Sequence, residues 1–244
     1  MGILPRLASV VFIVALPLFL VTTNVRFLAG DVWLYERGLR KYDAEQTTGV
    51  SLADLDRASG EIVSYFENDA GTLRILVTEN GEEVSLFNAR ETEHMRDVKT
   101  LMRFVFRVNE VTLAIVISYV AARYLWAREA SLRSLAREAL FGFAWAGAVF
   151  AALAVIAAMG FDAFWTRFHE TVFRNNLWQL NPDTDHLIQM FPESFWQETS
   201  LFLAAMTAAE VIVIAVTAAA YLFFTRERTT AAEPAADYQP AVNG

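Results

Sequence analysis

The chain has 244 residues, no cysteine, three histidines and a formal net charge of −8, and 55% of its residues are hydrophobic. The lack of cysteine excludes disulfides, thiol catalysis and thiolate-bound metals, and the acidic balance leaves no electrostatic footprint for a nucleic-acid partner. The apolar residues are gathered into four long runs, which places the chain among membrane proteins.

A membrane-spanning helix needs about 20 predominantly apolar residues. The first run, Leu7 to Val25, meets that length. It is long for a secretory signal, and the Asn24-Val25-Arg26-Phe27 that follows offers no small-x-small cleavage site, so it reads as a retained anchor. Residues 30–100 then form a segment long enough to fold as a cap. Ser51 is a plausible helix N-cap, with Leu52, Leu55, Ile62 and Phe66 at helical spacing after it and Gly71 as the expected stop. Leu73 to Val77 and Val84 to Phe87 flank Asn80-Gly81, a strong hairpin signal.

His94 sits just before the second run, Leu101 to Trp126. Asp97, three residues on, could fix the histidine's tautomer if both lie on one helix. At 100° per residue, Arg96, Lys99, Arg103, Arg107 and Glu110 share a stripe that must face other helices or a wet cavity. Glu210, at a depth similar to Glu110, suggests a cluster of Arg107, Glu110 and Glu210, serving as a structural ion pair or as the wall of a polar cavity.

A short connection with Arg123, Arg128, Arg133 and Arg137 leads to the third run, Ala139 to Phe161, where Ala144, Ala148 and Ala152 give a small-residue face for close packing. Phe161, Phe164, Trp165, Phe168 and Val172 then share about one third of a helix circumference, and Trp178, Phe191, Phe195 and Trp196 extend the aromatic content. Such a stripe suits a helix lying in the headgroup layer. His169 lies at its edge, and Asn181-Pro182-Asp183 reads as a turn. The fourth run is Leu201 to Phe224, and the Ala/Pro-rich acidic tail after Arg228 reads as disordered.

Short arginine-rich loops stay in the cytoplasm. The connection between spans two and three, Arg226 and Arg228 after span four, and Arg6 before span one all place both termini inside. The expected fold is therefore mainly α, a four-helix transmembrane bundle with a small extracytoplasmic α+β cap between spans one and two. Its segments are 1–29 (first span), 30–100 (cap), 101–161 (spans two and three with the cytoplasmic Arg-rich loop), 162–200 (extracytoplasmic aromatic loop), 201–228 (fourth span) and 229–244 (tail). All three histidines, including His186, then fall on the outer side, where an imidazole can take and return a proton near neutral pH. No histidine pair has the i, i+4 ligand spacing, so no metal site is expected.

The stretch Leu86-Phe-Asn-Ala-Arg-Glu-Thr-Glu-His-Met-Arg-Asp-Val-Lys99 is similar to the first signature of a known family. Phe168-His-Glu-Thr-Val-Phe-Arg-Asn-Asn-Leu-Trp178, continuing through Leu180 to Asp185 and on to Phe191-Pro192-Glu193, resembles its second. This is the group of bacterial four-span membrane proteins that includes the lipoprotein intramolecular transacylase. The resemblance implies a cofactor-free enzyme in the cell membrane whose partners are diacylated bacterial lipoproteins and membrane lipids. It would move an acyl chain from the sn-2 ester of the diacylglyceryl group to the α-amine of the N-terminal cysteine. The family's paired histidines fall on His94 and His169, with Asp97, Asn175, Trp178 and Asp185 as candidate supports; His186 carries no role over. There is no Gly-x-Ser-x-Gly elbow for a serine acyl-enzyme. Two other readings are a non-enzymatic assembly or binding subunit, and a small transporter built on Arg107, Glu110 and Glu210.

Overall fold

The computed structural model describes residues 3–79, 81–126, 128–158 and 160–231. Among them are α1 (Ile3–Gly30), α2 (Val32–Lys41), α3 (Ala44–Thr48), α4 (Leu52–Glu67), β1 (Leu76–Glu79), β2 (Glu82–Ser85), α5 (Ala89–Trp126), α6 (Arg128–Ala158), α7 (Phe161–Val172), α8 (His186–Met190) and α9 (Glu193–Ala231). Four of them, α1, α5, α6 and α9, are long and apolar enough to cross a membrane. Of the expected disordered tail, 229–244, residues 229–231 instead continue α9, and the rest lies outside the described residues.

The bundle is organised around α1, which packs against α5, α6 and α9. Phe12, Leu16 and Leu20 of α1 meet Ala139 and Phe143 of α6 in its core, and Phe12 stacks on Tyr119 of α5 at 4.6 Å. Pro17 lies inside α1 and has no N–H to donate, so the Ile13 carbonyl loses its helical partner. In a membrane such a group must be satisfied by neighbouring helices. The indole of Trp145 donates to that carbonyl at 3.3 Å, and Gly142 lets α6 come close enough for the contact. A Cβ at Gly142 would sit 2.8 Å from the same oxygen. Close helix approach on α6 thus falls at Gly142. The alanine face expected to pack, Ala144, Ala148 and Ala152, points outward and is exposed.

Polar ties complete the bundle. Asn24 donates to Thr207 and Glu210 on α9, and Asn109 on α5 donates to Thr22 and Thr23 on α1. Where α5 ends and α6 begins, the carboxylate of Glu138 pairs with Arg123 at 2.8 Å and accepts from Ser9, Tyr119 and Ser134. The expected cluster of Arg107, Glu110 and Glu210 does not form. Glu110 pairs with Arg26 at 3.0 Å, Glu210 accepts from Asn24, and Arg107 is exposed. Arg26 wins because α1 runs as one helix to Gly30, several residues beyond the apolar run that marks the span, and carries the guanidinium alongside α5.

A second core lies where α1 ends and α5 and α9 begin. Leu39, Leu55, Ile62, Tyr65, Ile75 and Leu86 are nearly inaccessible, and Met190, Phe191 and Phe195 from the second long loop join them. Ser51 caps α4 by accepting from the Asp54 N–H, as its position suggests. The helix stops at Glu67, short of Gly71, because cations from α5 take its terminal carbonyls. Arg103 donates to the Glu67 and Asn68 carbonyls and Lys99 to the Ala70 carbonyl, with the Lys99 ammonium 3.9 Å from the Tyr65 ring centre. Part of the charged stripe of α5 is thus spent capping α4. The antiparallel hairpin pairs Glu79 with Glu82 across a two-residue connection, with Gly81 at φ +85. Asn80 lies outside the described residues. The paired segments lie closer to the turn than the apolar runs, 76–79 against 82–85, while Leu73, Ile75 and Val77 alternate into the core.

Candidate active site

The N-terminus of α5 is built as a reciprocal cap. The Asn88 side chain accepts from the Glu91 N–H at 3.1 Å, and the Glu91 carboxylate accepts from the Asn88 N–H at 2.7 Å. The second Glu91 oxygen accepts from the Leu187 N–H at 2.6 Å, which fastens the start of α8 to the start of α5. Asp185 is buried as well, and donors satisfy its carboxylate. Asp185 accepts from Asn88 Nδ2 at 2.9 Å and from the Asn181 N–H at 2.7 Å. His186 Nδ1 donates to the Leu86 carbonyl at 2.6 Å, so this third histidine serves the same docking. Glu91 was not singled out from the sequence, although Asn88-x-x-Glu91 is a legible capping pattern.

One turn further along α5 stands His94, 7% exposed, with its Nδ1 buried and without a hydrogen-bond partner. The expected bond from Asp97 is absent. Asp97 instead accepts from Asn175 Nδ2 at 2.8 Å, holding the segment after α7 against α5.

The stripe on α7 brings His169 to the same place. His169 is 6% exposed, and its Nδ1 lies 2.8 Å from the Trp165 carbonyl one turn earlier. A carbonyl oxygen only accepts, so Nδ1 carries the proton, and in the neutral ring Nε2 keeps the free lone pair. Burial holds the imidazole's pKa below the ordinary 6.5, partly offset by the Trp165 bond, which favours the charged form. The ring is enclosed by aromatics. Trp178 stacks on it at 4.9 Å, Trp165 meets it edge-on at 4.6 Å and Phe168 at 5.3 Å. Trp165 itself stacks on Trp196 of α9 at 5.5 Å. These rings were read as an interfacial belt; several of them form a cage around one imidazole.

The two histidines, 75 positions apart in sequence (169 − 94), have ring centres 6.1 Å apart. Phe173 touches both, at 5.3 Å from His94 and 5.6 Å from His169. Asn175, Trp178 and Asp185 all lie on the segment that closes over this pair, whereas Arg107, Glu110 and Glu210 belong to the bundle and form no common site.

Fold and site together define a polytopic membrane protein with two buried imidazoles held side by side at one end of its bundle. A family model described as lipoprotein intramolecular transacylase Lit matches residues 10–196. The chain belongs to this family and is a membrane-bound acyltransferase, an intramolecular lipoprotein transacylase. Its fold is similar to that of the membrane integral lipoprotein intramolecular transacylase Lit from Bacillus cereus, at 18% identity and a TM-score of 0.76, covering 93% of this chain and 100% of that one. Two further structures of the Bacillus cereus protein, one with a histidine-to-arginine and one with a histidine-to-alanine mutation, match at 16% identity and a TM-score of 0.69. Each covers 91% of this chain, and 94% and 95% of theirs. No curated protein sequence matches.

Proposed function

We propose that His94 and His169 catalyse transfer of an acyl chain from the sn-2 ester of a diacylated lipoprotein to the α-amine of its N-terminal cysteine. The observation that carries this reading is the 6.1 Å approach of the two buried rings. The amine attacks the ester carbonyl, and His169 Nε2 takes the proton that the nitrogen must lose. The C–N bond forms, the C–O bond to glycerol breaks, and the same proton returns to the departing glyceryl oxygen while His94 hydrogen-bonds that oxygen. A positioned acid or base of this kind contributes typically about 10²–10⁴-fold. Nucleophile and ester belong to one molecule, so orientation supplies much of the remainder. The aromatic cage keeps water, the competing nucleophile, away from the ester.

In this reading the positive-inside pattern puts both termini in the cytoplasm and residues 30–100 and 162–200 outside, where lipoprotein substrates reside. Asp97 and Asn175 hold the closing segment on α5, Trp178 orients the His169 ring, and Asp185 docks the start of α8. The transporter alternative lacks its core, since Glu110 pairs with Arg26 and not with Arg107. Expression in a host whose lipoproteins are only diacylated tests the proposal. Fragmentation of a lipoprotein's N-terminal peptide should yield an N-acyl cysteine with a monoacyl glyceryl thioether at unchanged intact mass. Finding only free α-amines would sink it.

A further inference from the structure

Away from the histidines, a cavity of about 490 Å³ opens between α2 and the first turns of α9. We propose that it binds the phosphate headgroup of an anionic membrane phospholipid, with Arg37 and Lys41 as the groups that hold the phosphate. This site does not depend on the reaction assigned above.

Its position fits a lipid. It begins three residues beyond Gly30, the last residue of the first candidate span, at Trp33. Its rim residues Trp33, Leu201 and Phe202 are 62%, 66% and 48% exposed, an apolar edge continuous with the surface of the bundle. Tryptophan at such a level is an interfacial anchor, and the aliphatic and aromatic edge below it suits acyl chains. The floor is flat because Gly38 has no side chain. The Phe195 ring occupies that space, and a Cβ there would lie 2.6 Å from it.

The charge at the mouth selects the headgroup. Arg37 and Lys41, one turn apart on α2, reach the two oxygens of Glu198 at 3.1 and 2.7 Å, and the Tyr42 hydroxyl donates to the same carboxylate. Two cations share one carboxylate at the mouth, so their donors are not all taken. Both cationic side chains stay open to solvent, 44% and 46% exposed. The neighbouring Arg40 is held by Asp56 at 2.6 Å and Glu36 at 4.0 Å, which leaves Arg37 and Lys41 as the cations at the mouth. A guanidinium fork beside an ammonium is a good phosphate ligand pair, and the two cations at the mouth disfavour a choline headgroup. Glu198 occupies these donors when the lipid is absent and competes with the phosphate when it arrives. Trp196, the next residue after Phe195 in the α9 turn, faces Trp165 and the His169 cage, so the two sites share α9 without sharing a residue.

The test is lipid retention by the full chain. Purified protein is exposed to equal amounts of phosphatidylglycerol and phosphatidylcholine, and bound lipid is counted by native mass spectrometry. Wild type should retain phosphatidylglycerol preferentially. Each interfacial cation contributes roughly fivefold, so the Arg37→Gln/Lys41→Gln double variant should lose roughly twenty-fivefold. Glu198→Gln should gain retention, because it removes the competitor. Trp33→Ala, at an exposed position, should lose retention with both ion pairs intact. A merely structural ion-pair cluster behaves otherwise, since Glu198→Gln breaks the same contacts as the double variant and would lower retention with it. Parallel loss in both, or equal binding of the two lipids by wild type, would overturn the site.

Discussion

Trp178→Ala separates the two duties assigned to the cage around His169. The indole stacks on the imidazole at 4.9 Å with the planes 29° apart. Such a pair contributes about 0.5–1.5 kcal/mol beyond its buried area. At about 1.36 kcal/mol per tenfold in rate, losing all of it from ring orientation lowers kcat about two- to thirteenfold. The remaining restraints, the Trp165 carbonyl at 2.8 Å and the Trp165 edge at 4.6 Å, keep the loss from growing further. Opening one ring face to water also removes part of the burial that holds the His169 pKa down, so its acid limb must move up toward 6.5. Steady-state transacylation of a synthetic diacylated lipopeptide across a pH series reads both effects. A loss of a hundredfold or more, or an acid limb that stays put, would refute the assignment of orientation and desolvation to Trp178.

The pH profile of the unaltered protein is a second test. The substrate α-amine, with an ordinary pKa of about 7.7–8.0, must be neutral, so log kcat/KM should rise with unit slope toward that region. The neutral form of His169 is the active one and its pKa is lowered, so a second unit of slope should enter only below 6.5; entry above 6.5 contradicts the burial argument. Gly142→Ala should lower bundle stability by about 1–3 kcal/mol through overpacking against the Ile13 carbonyl. Gly147→Ala, which meets nothing within 4 Å, should be near neutral, as read from unfolding in detergent. Glu138→Ala should cost about 1–3 kcal/mol, because half-buried Arg123 loses its carboxylate and keeps only Tyr119 and Ser134, and Arg123→Met/Glu138→Leu together should recover most of that loss.

The spans were legible because length and hydropathy are properties of the chain itself, and Ser51 because a cap is a local bond. The partners of charges and the packed faces were not, since both depend on where distant helices meet. Arg26 lies after what read as the end of the first run, yet α1 continues through it and delivers it to Glu110. The alanine face of α6 has the right periodicity, but Pro17 frees a carbonyl on α1, and Gly142 and Trp145 are the residues that meet it. Asp97 sits at the right spacing for His94, but a loop 78 residues away supplies Asn175 as a better donor. The signature stretches pointed to His94 and His169; only the fold shows that Phe173 bridges them and that Glu91 fixes the helix end that carries His94.

The most direct test uses the purified protein with a lipopeptide isotopically labelled in its sn-2 chain, mixed with an unlabelled lipopeptide of different peptide mass. Wild type should place the label on the cysteine nitrogen of the same peptide, with no crossover. His169→Asn should lower that rate by about 10²–10⁴-fold. Label crossing between peptides, or His169→Asn turning over at the wild-type rate, would contradict the paired-histidine transacylation.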